Sequence, residues 1–233
     1  WRRMSIVFQG AMNALNPVFK IGEQISEGIL LHENVSESEA RERSEQLLQL
    51  VGVDKSRYDS YPHELSGGMR QRSMIAMALA CNPDLVIADE PATALDVIVQ
   101  AQVLKLMKEL QEKLKLSMIL ITHDLSIIAE TCDKVAMMYA GKMAEYCDAV
   151  GLFKKPLHPY TRGLLAAFPD VRARDAKLSS IPGDPPDLID PPSGCRFHPR
   201  CPYAKSPVCS RDEPPVREIS PSHYAACHFA GEI

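Results

Sequence analysis

D-L-V-I-A-D-E, residues 84–90, follows Asn82-Pro83 and is an apolar run that closes on two acids. Such a run suits a buried strand of a parallel sheet that delivers Asp89 and Glu90 at its C-terminal end. The pattern then repeats: a helix is expected from Val97 to about Leu116, then a second buried strand, Ser117–Thr122, then His123-Asp124 and another helix. Alternating strands and helices predict an α/β fold with a mostly parallel sheet and right-handed crossovers. Upstream, Trp1–Phe8 reads as a strand entered midway, with a loop to about residue 17. Ser36-Glu37-Ser38-Glu39 is a capping box that opens an amphipathic helix through Leu47, Leu48 and Val51 to Gly52, so 19–80 is expected to be mostly helical. Downstream, Val135–Tyr139 and Lys142–Tyr146 read as a hairpin turning at Ala140-Gly141.

The 233 residues suffice for one good core and a small appendage. A net charge of -4 offers no basic field, and Lys and Arg are scattered among acids, which argues against a nucleic-acid partner. No apolar run reaches the length of a membrane span and the first residues are not a signal peptide, so the chain is expected in the cytosol. The strand entered at Trp1 suggests that the natural protein begins further upstream.

L-S-G-G-M-R-Q-R, residues 65–72, places two glycines where a helix starts. A small polar residue and two glycines there leave backbone N–H groups bare and let an anion approach, with the helix dipole favouring negative charge. Yet the chain contains no G-x-x-x-x-G-K-[ST], the loop that cradles a bound nucleotide's phosphates. Ligands of open α/β sheets gather at strand C-termini, and here two strands end in Asp89-Glu90 and in His123. Asp89 could hold Mg2+ through its water shell, Glu90 orient or deprotonate an attacking water, and His123 hold a γ-phosphate. Taken singly, a strand-terminal acid pair is often a solvated turn and a lone histidine often idle.

Order and spacing change that. Gln9, then Leu65-Ser66-Gly67-Gly68, then Asp89-Glu90-Pro91, then Ala94-Leu95-Asp96, then Thr122-His123-Asp124 resemble the ATP-binding subunits of ABC transporters across 8–146. The resemblance implies an ABC-type P-loop ATPase core from 1–17 and 82–155, a helical signature subdomain from 18–81, and an extension from 156–233. It makes Gln9 the Q-loop glutamine that reaches Mg2+ and senses the membrane subunits. Ser66, Gly67 and Gly68 become the signature motif, Asp89 the Walker B aspartate, Glu90 the general base, Asp96 the D-loop aspartate and His123 the switch histidine. Family members work as head-to-tail dimers in which each signature helix caps ATP held by the other subunit, so the glycines would serve a partner's nucleotide. Lacking the phosphate loop, the isolated chain is expected to bind ATP poorly and not to hydrolyse it.

Past Pro169 the character changes: 11 of the 18 prolines lie between Pro182 and Pro221. This segment cannot be another layer of the sheet, and it needs a staple to be ordered. Cys195, Cys201, Cys209 and Cys227 point to a metal more than to disulfides in a cytosolic protein, whereas Cys81, Cys132 and Cys147 read as inert thiols of the body. Without a C-x-x-C knuckle, zinc is weakened, His198, His223 and His228 are alternative ligands, and four thiolates can equally hold a 4Fe-4S cluster. His158–Leu165 and the R-F-H-P-R-C-P run resemble the extension of ABC ATPases serving dipeptide, oligopeptide and nickel importers, some of which carry an iron-sulfur cluster. The resemblance implies a second ABC ATPase, two transmembrane permease subunits and, indirectly, an extracytoplasmic solute-binding protein as partners, at the cytoplasmic face of the membrane. Two other classes remain open: a soluble ABC ATPase, which would want a coiled-coil insertion or basic face, and a metal-binding or regulatory fragment.

Overall fold

Residues 84–90 do form the middle of a parallel sheet. Its order is β1 (Met4–Val7), β2 (Leu85–Asp89), β3 (Ser117–Ile121), with Leu85 paired to Met4 on one side and Ser117 on the other. The computed structural model describes residues 1–10, 14–167 and 180–233, and these fall into two units, Trp1–Leu125 and Ser126–Ile233. That division does not coincide with the boundaries expected near residues 17, 81 and 155.

In the first unit, α1 (Ile21–His32), α2 (Glu37–Leu50) and α3 (Gly67–Ala78) precede β2, and α4 (Val97–Leu114) follows it. Ser36 caps α2 as its pattern demands: its Oγ accepts from Glu39 N, and Glu39 Oε2 accepts from Ser36 N at 2.8 Å. Ile21, Ile25 and Ile29 recur every four residues along α1, and all are buried in one core with Leu48 of α2 and Met74 of α3. Gly22 is required by close packing, since a Cβ there would lie 2.1 Å from the Tyr58 ring. The Tyr58 hydroxyl in turn pairs with Ser26, and Ser26 with Ser44, so this core carries its polar groups satisfied.

The same core takes in Val7, Val86 and Ala88 of the sheet and Val103, Met107 and Leu110 of α4. The expectation of fully buried strands is corrected here. β2 alternates buried with half-buried residues, and on β3 Ile119 and Ile121 are about half exposed, at 49% and 48%. An apolar run specifies a strand but not how many layers cover it, and β3 is the edge of this sheet.

In the second unit, β4 (Lys134–Tyr139) and β5 (Lys142–Asp148) make the expected hairpin, with Ala140 and Gly141 both at positive φ, 48° and 77°, as a two-residue primed turn requires. The proline-rich segment does more than the sequence suggested. Although it adds no layer, it lends two strands to this sheet, β6 (Arg217–Ser220) and β7 (His223–Ala225), in the antiparallel order β4-β5-β7-β6. A buried carboxylate ties it down: Glu145, 1% exposed, accepts from His223 Nε2 and Leu157 N at 2.7 Å each and from His158 N at 2.9 Å. Shorter helices α5 (Leu125–Thr131), α6 (Ala149–Lys154), α7 (Pro159–Ala166) and α8 (Val208–Arg211) follow β3 along the described chain.

Candidate active site

Glu90 stands one residue past β2 at φ 43°, an uncommon conformation for a side chain of its size, and its N–H bonds to Ile121 O of β3 at 2.9 Å. Three donors meet its carboxylate. Gln9 Nε2, from the loop after β1, lies 2.7 Å from Oε2; Thr93 Oγ1 lies 2.9 Å from the same oxygen; His123 Nδ1, from the end of β3, lies 2.9 Å from Oε1. A carboxylate only accepts, so Nδ1 of His123 carries the proton of this bond. The His123 bond, and after it the Thr93 bond, holds the Glu90 carboxyl below its ordinary range. It is therefore ionised and oriented at neutral pH. Asp89 ends β2 immediately beside it.

The structure thus gathers Gln9, Asp89, Glu90 and His123 at one strand-end cluster, as their positions in the sequence suggest. Ser66, Gly67, Gly68 and Asp96 form a second locality. Ser66 Oγ caps α3 through Met69 N, and Asp96 Oδ1 caps α4 through Val99 N at 2.9 Å. The glycines have a packing reason besides exposing backbone: a Cβ on Gly68 would meet Val99 Cγ1 at 2.7 Å, and one on Gly67 would touch Leu95 at 3.6 Å. The signature stretch therefore lies against the start of α4. Thr93 escaped the sequence reading; the signal was a hydroxyl three residues after the acid, where Thr can close a turn.

In the second unit, Cys195, Cys201, Cys209 and Cys227 converge on a pocket of about 330 Å³, joined by His198 and His228. Burial raises the thiols of Cys195 and Cys227 and pushes Cys201 up to about 11. Among the described residues, the set of metal-capable side chains whose ligand atoms all lie within 4.8 Å of one another is Glu145, Cys147 and His223, not any three of these cysteines. In that tighter set Glu145 already accepts three N–H groups, one of them from His223, and burial pushes the Cys147 thiol up to about 12. Cys81 and Cys147 are buried and Cys132 half-buried, as inert thiols of the body would be.

Comparison with known proteins agrees with the geometry. The ABC transporter family profile matches residues 2–93, and the profile of the oligopeptide/dipeptide transporter C-terminal region matches residues 144–209. A probable peptide ABC transporter ATP-binding protein of Sinorhizobium fredii is 47% identical over 99% of this chain and 70% of its own length. The chain belongs to the ATP-binding proteins of peptide ABC transporters. Other relatives in this family include the oligopeptide transport ATP-binding protein OppD of Escherichia coli, 49% identical over 97% of this chain and 67% of that protein. The dipeptide transport ATP-binding protein DppD of Bacillus subtilis is 50% identical over 96% of this chain and 67% of its own length. Among solved structures, cbiO1 of Clostridium perfringens, part of the ABC transporter complex cbiONQ, superposes with a TM-score of 0.59 at 30% identity, over 66% of this chain and 60% of that one. A dimeric ATP-binding cassette in a post-hydrolysis state with ADP and Pi superposes with a TM-score of 0.55 at 26% identity, over 63% of each chain. The fold of this peptide-transporter ATPase is that of an ABC cassette. Among its described residues, no helix is long and apolar enough to cross a membrane.

Proposed function

We propose that the chain supplies the hydrolytic machinery of an importer for di- or oligopeptides. The observation that carries this is the Glu90 carboxylate, gripped by Gln9 and His123 beside Asp89 at the end of a parallel strand. Glu90 takes the proton of a water whose oxygen bonds to the γ-phosphorus of ATP as the bond to the bridging oxygen breaks, giving ADP and inorganic phosphate. Asp89 and Gln9 would hold Mg2+, which when bound neutralises the charge growing on the phosphates. His123 would turn the N–H that it now gives to Glu90 toward the γ-phosphate. Ser66, Gly67 and Gly68, with the N-terminus of α3, would cap ATP held by a second ABC ATPase, across an interface that Asp96 also faces. The 233 residues contain no phosphate loop, so these residues alone are expected to turn over no ATP.

Two transmembrane permease subunits would receive the stroke at the cytoplasmic face of the membrane, with a solute-binding protein delivering peptide from outside. The region around Asn13 to Gly22 would contact a permease, and exposed Val18 and Phe19 suit that; Asn13 lies outside the described residues. We propose, on the resemblance, 1–17 with 82–155 as core, 18–81 as signature subdomain and 156–233 as extension, bounds that differ from the two compact units. The test is uptake of a labelled dipeptide and a labelled pentapeptide into vesicles holding the complete transporter, with and without Glu90→Gln. ATP-driven uptake that the variant loses supports the reading, and ATP-driven export or no peptide movement contradicts it.

For the extension, we propose that Cys195, Cys201, Cys209 and Cys227 hold a 4Fe-4S cluster. A tetrahedral zinc site, with Zn–S near 2.3 Å, would draw its sulfurs to about 3.8 Å of one another. The thiols here share one pocket without any three lying within 4.8 Å, which favours a group of several atoms over a single ion. A bound cluster would supply covalent ties among four tail segments. Stoichiometric zinc without iron or acid-labile sulfide in protein purified anaerobically from its source would reverse this choice.

A further inference from the structure

Two of the three donors on Glu90 have other duties in the function proposed above. Gln9 is needed at Mg2+ and His123 at the γ-phosphate, and each reaches Glu90 from a loop distant in sequence, 81 and 33 residues away. When they turn to the nucleotide, their hold on the carboxylate weakens. Thr93 differs in kind. It lies three residues after Glu90 in the turn Glu90-Pro91-Ala92-Thr93, where its N–H bonds to Glu90 O at 3.1 Å and its Oγ1 donates to Glu90 Oε2 at 2.9 Å. Main chain and side chain together close a small ring around the acid, so Thr93 moves with Glu90 whatever the other loops do. The side chain is exposed, so its hydroxyl answers no need of the core.

We infer that Thr93 is a positioning residue for ATP hydrolysis, holding Oε2 of Glu90 so that Oε1 faces the attacking water once Gln9 and His123 engage the nucleotide. A carboxylate that has lost two of three tethers would otherwise rotate among several rotamers, and a base must sit within about 3 Å of the proton that it takes. Threonine suits the task because its hydroxyl donates, its reach is short and its β-branch limits χ1. The inference rests on Glu90 being the general base.

The experiment uses the protein as its source cell makes it, assembled with its partner ATPase and permeases. Steady-state ATP turnover is measured for the parent, Thr93→Val, Thr93→Ser and Glu90→Gln. Thr93→Val keeps the shape and removes the donor; its kcat should fall about 10- to 100-fold, the span of one charge-assisted hydrogen bond, with KM for ATP changed less than about twofold. Thr93→Ser should restore kcat to within about threefold of the parent, which a purely steric role would not predict. If Thr93→Val folds poorly, as its melting temperature would reveal, Thr93→Ala carries the same comparison. Inactive Glu90→Gln with unchanged or raised kcat in Thr93→Val overturns this inference alone, as does an equal fall in Thr93→Ser. Active Glu90→Gln overturns the base assignment on which it stands.

Discussion

His158 shows how one buried side chain converts burial into pH dependence. Burial pushes its pKa from 6.5 down to about 4, against the opposing pull of nearby Glu145. Its Nδ1 accepts from Tyr160 N at 3.0 Å and caps α7, so the ring is needed neutral. Below pH 6.5 the unfolded chain takes up a proton that the folded chain refuses until about pH 4. The unfolded state thus binds more protons in that window, and stability falls as pH falls through it, by about 3 kcal/mol in all from this group. Urea midpoints at pH 7 and 4.5 should separate more for the parent than for His158→Asn, which can still cap; parallel shifts would contradict the assignment. At the same scale, the positions of Gln9, Glu90 and His123 at strand ends were legible, because each sits next to a strand whose apolar run is easily read. Thr93 was not, because its part is a hydrogen bond within a turn and turn hydroxyls are common without such a role.

Among the elements, α3 makes the sharpest claim. Its second glycine approaches Val99, whose β-branched methyl has little room to move, so Gly68→Ala should destabilise the chain by about 1–3 kcal/mol. Gly67→Ala meets only an ordinary contact and should cost no stability. Thermal melts of the two variants compare the claims directly, and equal losses would refute the packing argument. The sequence showed the glycines as an anion site and was silent on packing, since the neighbour lies on another helix 31 residues on. β6 and β7 were hidden for a related reason. His223–Ala225 has three residues, too few to display an alternation, and its pairing with β5 is set by the Glu145–His223 bond, which joins positions 78 residues apart. Glu145→Ala should therefore loosen the tail: it leaves a buried imidazole and two N–H groups unpaired, a loss of several kcal/mol. Limited proteolysis should then cut within 182–221 faster than in the parent, and an unchanged cleavage rate would mean that other contacts hold the hairpin.

For the molecule as a whole, the two units suggest two kinds of chemistry. The first carries the strand-end carboxylates and the signature helix, and the second carries four converging cysteines. On the proposed cluster, Cys201→Ala should lower iron content in anaerobically purified protein to background; full iron retention would remove that residue from the ligand set. The central claim is that Glu90 is the general base of this ATPase. It is tested most directly by ATP turnover of the complete transporter bearing Glu90→Gln, alongside its nucleotide content. The account predicts hydrolysis reduced at least about 100-fold, with ATP retained in a stable ATPase dimer. Turnover near the parent rate would contradict it.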